Sequence, residues 1–91
     1  MKQNNKQDKN DAFSFDIDYE MFTTEEIIKI INFYQDVIKY TKRRITKEAL
    51  KTSYKEYKNI INSIALEKQY DKKFFDKTNI SIYKVIKSLD N

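Results

Sequence analysis

Apolar and polar positions alternate from residue 13 and then recur at helical spacing, and this change of period divides the chain. In "FSFDIDY", Phe13, Phe15, Ile17 and Tyr19 alternate with Ser14, Asp16 and Asp18, the period-2 mark of an extended segment with one apolar face. No second strand candidate follows. An arm over residues 13–22 is therefore expected to lie across the helices of its own bundle, or against the same arm of a second copy of the chain. Before it, residues 1–12 carry one apolar side chain besides Met1. That is too little burial to offset the entropy of ordering, which predicts a disordered polar tail.

"FTTEEIIKI" reads as a helix start. Thr23 is placed as N-cap, Glu26 three residues on completes a capping box, and Phe22 can staple onto Ile27. Ile27, Ile30, Ile31, Tyr34, Val37 and Ile38 then recur at helical spacing, which predicts a first helix to about Thr41. It closes on Lys42, Arg43 and Arg44, cations at the favourable negative end of the helix dipole. A second start repeats the first, with Ile45 as staple residue and Thr46 as cap. The seam Leu50, Tyr54, Tyr57, Ile61 steps by four, three and four, suited to packing on the first helix, and the second helix is expected to end near 59–62. Ser63 is expected to cap a third helix carrying Leu66, Tyr70 and Phe74. Asn79 or Ser81 would cap a fourth carrying Ile82, Val85, Ile86 and Leu89. Short connections between these elements predict an all-α fold: a compact antiparallel bundle of about four helices over residues 23–91, with an extended N-terminal arm.

Composition narrows the function classes. A chain of 91 residues holds one domain with a modest core. It contains no cysteine and no histidine, which removes disulfides, thiolate nucleophiles, zinc-thiolate sites and the commonest general base and metal ligand. Glycine and proline are also absent, so no glycine loop can cradle a phosphate, and every turn must be made by other residues. Such usage with much Lys, Asn, Ile, Tyr and Phe is what an A/T-rich genome would impose, which weakens the pI of 9.2 as a sign of function. No run approaches the roughly 18 apolar residues of a membrane span, and no membrane contact is expected. The polar start lacks the apolar centre of a signal peptide, so the cytoplasm is the expected location.

The segments "FDID", "TTEE", "NFYQDVIKY", "SYKEYKNI" and "IYKVIK" together resemble the small bacterial uncharacterised protein family UPF0223, over residues 13–87. That family begins with an aromatic residue, a proline and alternating aspartates leading to a tryptophan, before a Thr/Ser-x-Glu-Glu helix start. The matching residues here are Phe13, Ser14, Asp16, Asp18, Tyr19 and "TTEE". Glu20, Met21 and Phe22 look inserted, so either Tyr19 or Phe22 takes the tryptophan's place. Arg44, Asn62 and Asn79 stand where the family usually has Gly, Pro and Gly. Asn tolerates the left-handed conformation this implies at Asn79, whereas Arg44 fits it poorly, so the turn before Ile45 is expected to be built differently. The resemblance implies a helical domain of the bacterial cytoplasm with no established activity, cofactor or partner.

Two clusters invite chemistry. Asp16, Asp18 and Glu20 are oxygen donors of the kind a hard cation takes, but they lack the glycine and the further ligands of an EF-hand loop. The preferred reading is a solvated edge followed by a capped helix, with no metal, cofactor or catalytic residue assigned. The basic cluster is broader: Lys39, Lys42, Arg43, Arg44, Lys47, Lys51, Lys55 and Lys58 fall within twenty residues. On the second helix these lysines flank the apolar seam, where long stems cover apolar surface and ammonium groups stay in water. Residues 1–26 hold three lysines against seven carboxylates, and residues 27–91 fifteen cations against seven carboxylates. The acidic arm is thus a possible internal partner for the stripe, and nucleic acid the alternative. Tyr34, Tyr54, Tyr57, Tyr70 and Phe74 sit at core periodicity, where an aromatic is more often packing than a platform for base stacking. Phe33, Tyr40 and Phe75 fall beside the seams, where an exposed cluster would mark a protein contact. The preferred function is a non-catalytic protein-interaction or regulatory module with an unidentified protein partner. Phe13, Phe15, Ile17 and Tyr19 are the candidates for self-association as a homodimer.

Overall fold

The computed structural model describes residues 15–90. The tail of residues 1–12, together with Phe13 and Ser14, lies outside them. Four helices follow in order: α1 (Thr24–Thr41), α2 (Lys47–Ile60), α3 (Ile64–Thr78) and α4 (Ile82–Ser88). Each begins on a hydroxyl cap, and of the two candidates for α4 it is Ser81 that caps, Asn79 instead closing α3. The Thr23 hydroxyl accepts from the Glu26 amide at 3.1 Å while the Glu26 carboxylate accepts from the Thr23 amide at 2.9 Å, a closed capping box. Thr46, Ser63 and Ser81 accept from the amides of Ala49, Leu66 and Lys84. Each such cap is worth about 1 kcal/mol, because it satisfies a donor that the helix leaves open.

Without glycine, two of the four helices, α1 and α3, close on other residues held at positive φ. Asn79 closes α3 at φ 67, its amide donating to the Phe75 carbonyl at 2.7 Å. At the end of α1 the left-handed residue is Arg43, at φ 61, and not Arg44. Its amide donates to the Tyr40 carbonyl, and the Arg44 amide reaches back to the Lys39 carbonyl at 2.9 Å. This pair of bonds is a Schellman closure with arginine where glycine is usual. The turn therefore reverses one residue earlier than position 44, and Arg44 serves it through its amide alone.

Six of the fourteen buried core residues are aromatic, and several of their rings meet. Phe33 stacks on Tyr57 of α2 with centroids 4.4 Å apart. Its neighbour Tyr34 meets Phe74 of α3 at 4.7 Å and Phe15 at 5.0 Å. Phe33 is fully buried, which corrects the expectation that it falls beside the seam. α1 is covered by more than one neighbour, so its apolar face is wider than a single i, i+3, i+4 stripe, and consecutive residues about 100° apart both turn inward. Tyr40 is half-buried, and Phe75 is exposed as expected. Ile27, Ile30 and Val37 of α1 join Leu50, Ile61, Tyr70, Ile82 and Leu89 in the interior.

The segment before α1 keeps its alternation but not a straight path. Phe15 and Ile17 are buried while Asp16 and Asp18 are exposed. Asp16 takes φ 60, and residues 19–21 form a turn closed by the Met21 amide on the Asp18 carbonyl. Two short apolar side chains are thereby inserted into the chain's own bundle. Lys73 of α3 secures the segment, its ammonium 3.6 Å from the Asp16 carboxylate and over the Tyr70 ring, while the Tyr70 hydroxyl accepts from the Asp18 amide at 3.2 Å. Phe22 rather than Tyr19 supplies the inward ring, edge-on to Tyr70 at 5.7 Å, and Tyr19 is 50% exposed.

Phe33→Ala is expected to lower the unfolding free energy by about 3–5 kcal/mol, the cost of deleting a buried aromatic ring, measurable by urea denaturation. Arg43→Gly should raise it by about 1 kcal/mol by relieving the left-handed backbone, read as a higher melting temperature.

Candidate functional site

The basic residues follow the α1–α2 corner and then one flank of α2, a ridge in chain order. Lys39 lies in the last turn of α1, Lys42 is its C-cap, Arg43 and Arg44 make the reversal, and Lys47 opens α2. Lys51, Lys55 and Lys58 continue the ridge along α2 at steps of four, four and three. Lys47 and Lys58 are partly buried and the other six exposed, in keeping with lysines that flank an apolar seam. Lys58 leaves the group by pairing with Glu67 of α3, which raises its pKa chiefly through that hydrogen bond. Among the described residues, the remaining seven form no ion pair. No described carboxylate of the acidic segment pairs with these cations. Asp16 is taken by Lys73, Asp18 accepts from the Glu20 amide, and Glu26 is used in the cap. No group of three or more carboxylates gathers in metal-binding geometry among the described residues.

A second feature, missed at the level of the sequence, lies between α2, α3 and α4. A furrow of about 570 Å³ is lined by Tyr54, Lys58, Ile64, Glu67, Asp71 and Tyr83, and it runs into a smaller recess that adds Ile82, Ile86 and Asp90. Ile64 and Tyr83 stand at its edge, 74% and 64% exposed. A signal for both was present. Ile64 falls at the first position of α3, out of register with Leu66, Tyr70 and Phe74, and Tyr83 follows the buried Ile82 directly. Apolar residues that miss the seam of their own helix are the ones left facing water. Lysine ammonium groups already rest on both tyrosines here, Lys58 at 6.0 Å from the Tyr54 centroid and Lys87 at 5.5 Å from that of Tyr83.

At the furrow's inner wall the Tyr57 hydroxyl donates to Asp71 at 3.5 Å. The Tyr34 hydroxyl is buried behind it without a well-aligned partner of its own. Burial raises the pKa of both phenols, so both stay protonated. Burial, followed by the nearby Glu67 charge, pushes the Asp71 carboxyl from an ordinary 3.8 up to about 6, against the lowering effect of the Tyr57 hydroxyl. Between these two values the folded chain holds a proton that the unfolded chain has released. Stability contributed by this group therefore falls as pH rises through the window, and the cost is fully present above it. Asp71→Asn is expected to be more stable than the parent at pH 7 by on the order of 1 kcal/mol, after allowance for partial solvent contact. The gain should vanish toward pH 4, as urea unfolding at a series of pH values would measure.

Known proteins of similar sequence span most of the chain. A UPF0223 protein of Bacillus cytotoxicus is 34% identical over 74 residues, covering 81% of this chain and 82% of that protein. One from Staphylococcus haemolyticus is 32% identical over 79 residues, covering 87% and 84%, and one from Streptococcus agalactiae 33% over 76 residues, covering 84% and 81%. No solved structure matches the chain. No described helix is long and apolar enough to cross a membrane. The profile of the uncharacterised protein family UPF0223 matches residues 12–91, and the chain belongs to that family.

Proposed function

We propose that this protein is a non-catalytic interaction module of the cytoplasm, which docks on another protein through the furrow between α2, α3 and α4. The observation that carries this reading is the pair Ile64 and Tyr83, two large apolar side chains held largely in water on the rim of one furrow. Small domains seldom leave such groups together without a contact to make. A partner that covers them gains burial of apolar surface, while Asp71 and Glu67 at the wall offer acceptors that fix its orientation. The absence of histidine and cysteine from the whole chain supports a role in binding rather than in acid–base or nucleophilic chemistry. A regulatory role would follow from what the partner does.

A second reading is favoured by a different observation. The seven cations from Lys39 to Lys55 have no carboxylate partner among the described residues, and a ridge of free cations is the electrostatic footprint of a nucleic-acid contact.

One experiment separates the two. A tagged full chain and its Ile64→Asp/Tyr83→Ser variant are used to capture partners from cytoplasmic extract, with and without nuclease. The docking reading expects a stoichiometric protein, either another species or a second copy, that survives nuclease and is lost from the variant while its melting temperature is unchanged. Retention of that protein by the variant, or recovery of nucleic acid alone, would overturn it.

A further inference from the structure

The corner between α1 and α2 carries a dense run of cations. Residues 39–55 hold seven cations against the single carboxylate Glu48. Folding explains only part of this concentration. Lys39 and Lys42 sit at the carboxyl end of α1, where the helix dipole favours a cation, but Arg43, Arg44 and Lys47 crowd the amino end of α2, where it disfavours one. Like charges packed at a turn also repel. The arrangement opposes local stability at its centre, and a bound polyanion would remove the opposition.

A recess opens in the middle of this ridge. It has a volume of about 440 Å³ and is lined by Tyr40, Thr41, Arg43 and Ile45. An aromatic ring and an aliphatic side chain thus sit beside a guanidinium and a hydroxyl, with free cations on either side along the chain. The volume falls within the range of small-molecule sites. Its chemistry suits an unpaired base, whose flat face packs on aromatic and apolar groups while the flanking phosphates meet lysine and arginine. A duplex keeps its bases stacked inside and offers the recess nothing. The Arg43 backbone, held at φ 61 by the two carbonyl bonds of the Schellman closure, places this residue at the recess by a fixed turn rather than a loose loop.

We propose that the α1–α2 corner binds single-stranded nucleic acid, with Lys39, Lys42, Lys51 and Lys55 contacting phosphates and the Tyr40–Arg43–Ile45 recess receiving one base. The proposal rests on the second functional reading and makes it specific by strand form and by residue.

The test is fluorescence anisotropy of the full chain with labelled twelve-nucleotide oligouridylate, oligothymidylate of equal length, a twelve-base-pair duplex and, as a polyanion without bases, heparin. Binding of a single strand is expected at low salt, with affinity falling at a slope of about −3 in log–log form for roughly four phosphates released from counterions. It should exceed duplex binding at least fivefold. Whichever sugar is preferred, ribose or deoxyribose, the single strand must lead. Tyr40→Leu should weaken single-strand binding by about tenfold while moving heparin binding less than twofold, and Lys51→Ala/Lys55→Ala should weaken both and flatten the salt slope. Should Tyr40→Leu not fold, Arg43→Gly, expected to be more stable than the parent, replaces it and should cost the single strand several-fold. If these variants bind the single strand as the parent does, or the duplex binds equally well, the base recess is wrong while the basic ridge stands. If nothing polyanionic binds at low salt, the ridge reading falls with it.

Discussion

Two consecutive side chains of α1, Phe33 and Tyr34, hold this bundle together. Phe33 stacks on Tyr57 and so fixes α2. Tyr34 meets Phe74 and Phe15 and so fixes α3 and the segment before α1. Neighbouring helix positions point about 100° apart, which is what allows one turn of α1 to serve packing partners in different directions. In a chain this short the core is small, and a few large rings carry much of the burial that a larger domain would spread over many residues. The arrangement has a polar cost: the Tyr34 hydroxyl is buried without an aligned partner, and the Tyr57 hydroxyl reaches outward to Asp71.

That aromatic centre also decides what remains outside. With Tyr57 and Tyr70 drawn fully inward, Tyr54 is left at the edge of the α2 seam, where it walls the furrow beside Glu67 and Asp71. Lys58, next along α2, pairs across to Glu67 and removes one cation from the basic ridge. Among the described residues the remaining ridge cations form no ion pair: Asp16 is held by Lys73, Glu26 by the helix cap, and Asp36, the carboxylate next before Lys39, accepts from the Ser53 hydroxyl. The two candidate surfaces are thus consequences of one packing solution. α2 contributes its lysine flank to one and its half-buried tyrosine to the other.

Much of the fold was legible because its signals are local. Thr23, Thr46, Ser63 and Ser81 each mark a helix start by a hydroxyl that needs only its own chain to find an amide two or three residues on. The seam Leu50, Tyr57, Ile61 reads directly from spacing. The left-handed residue at the end of α3 was expected at Asn79 from the family resemblance, which implies a glycine position there, and Asn tolerates that conformation. The corresponding residue of α1 was not legible. Arg43 and Arg44 are equivalent locally, and which of them reverses depends on where α1 ends and which carbonyls its last amides reach. Phe33 was misplaced because a one-stripe template assumes one neighbour per helix. For the candidate site, the basic ridge was visible as a charge run. The furrow was not, because Ile64, Asp71 and Tyr83 meet only when three helices pack.

The sequence by itself determined the helices, their caps, most of the core and the want of histidine, cysteine and glycine chemistry, since each depends on residues within about one helical turn or on composition alone. Tertiary structure decided the rest. It sent Phe15 and Ile17 into the chain's own bundle, assigned Asp16 to Lys73 and Glu67 to Lys58, lifted the affinity of Asp71 for its proton, and left the cations from Lys39 to Lys55 without an ion pair among the described residues. These outcomes turn on contacts between residues far apart in the chain. Burial and charge pairing are properties of the space between elements, and no spacing within one element encodes them.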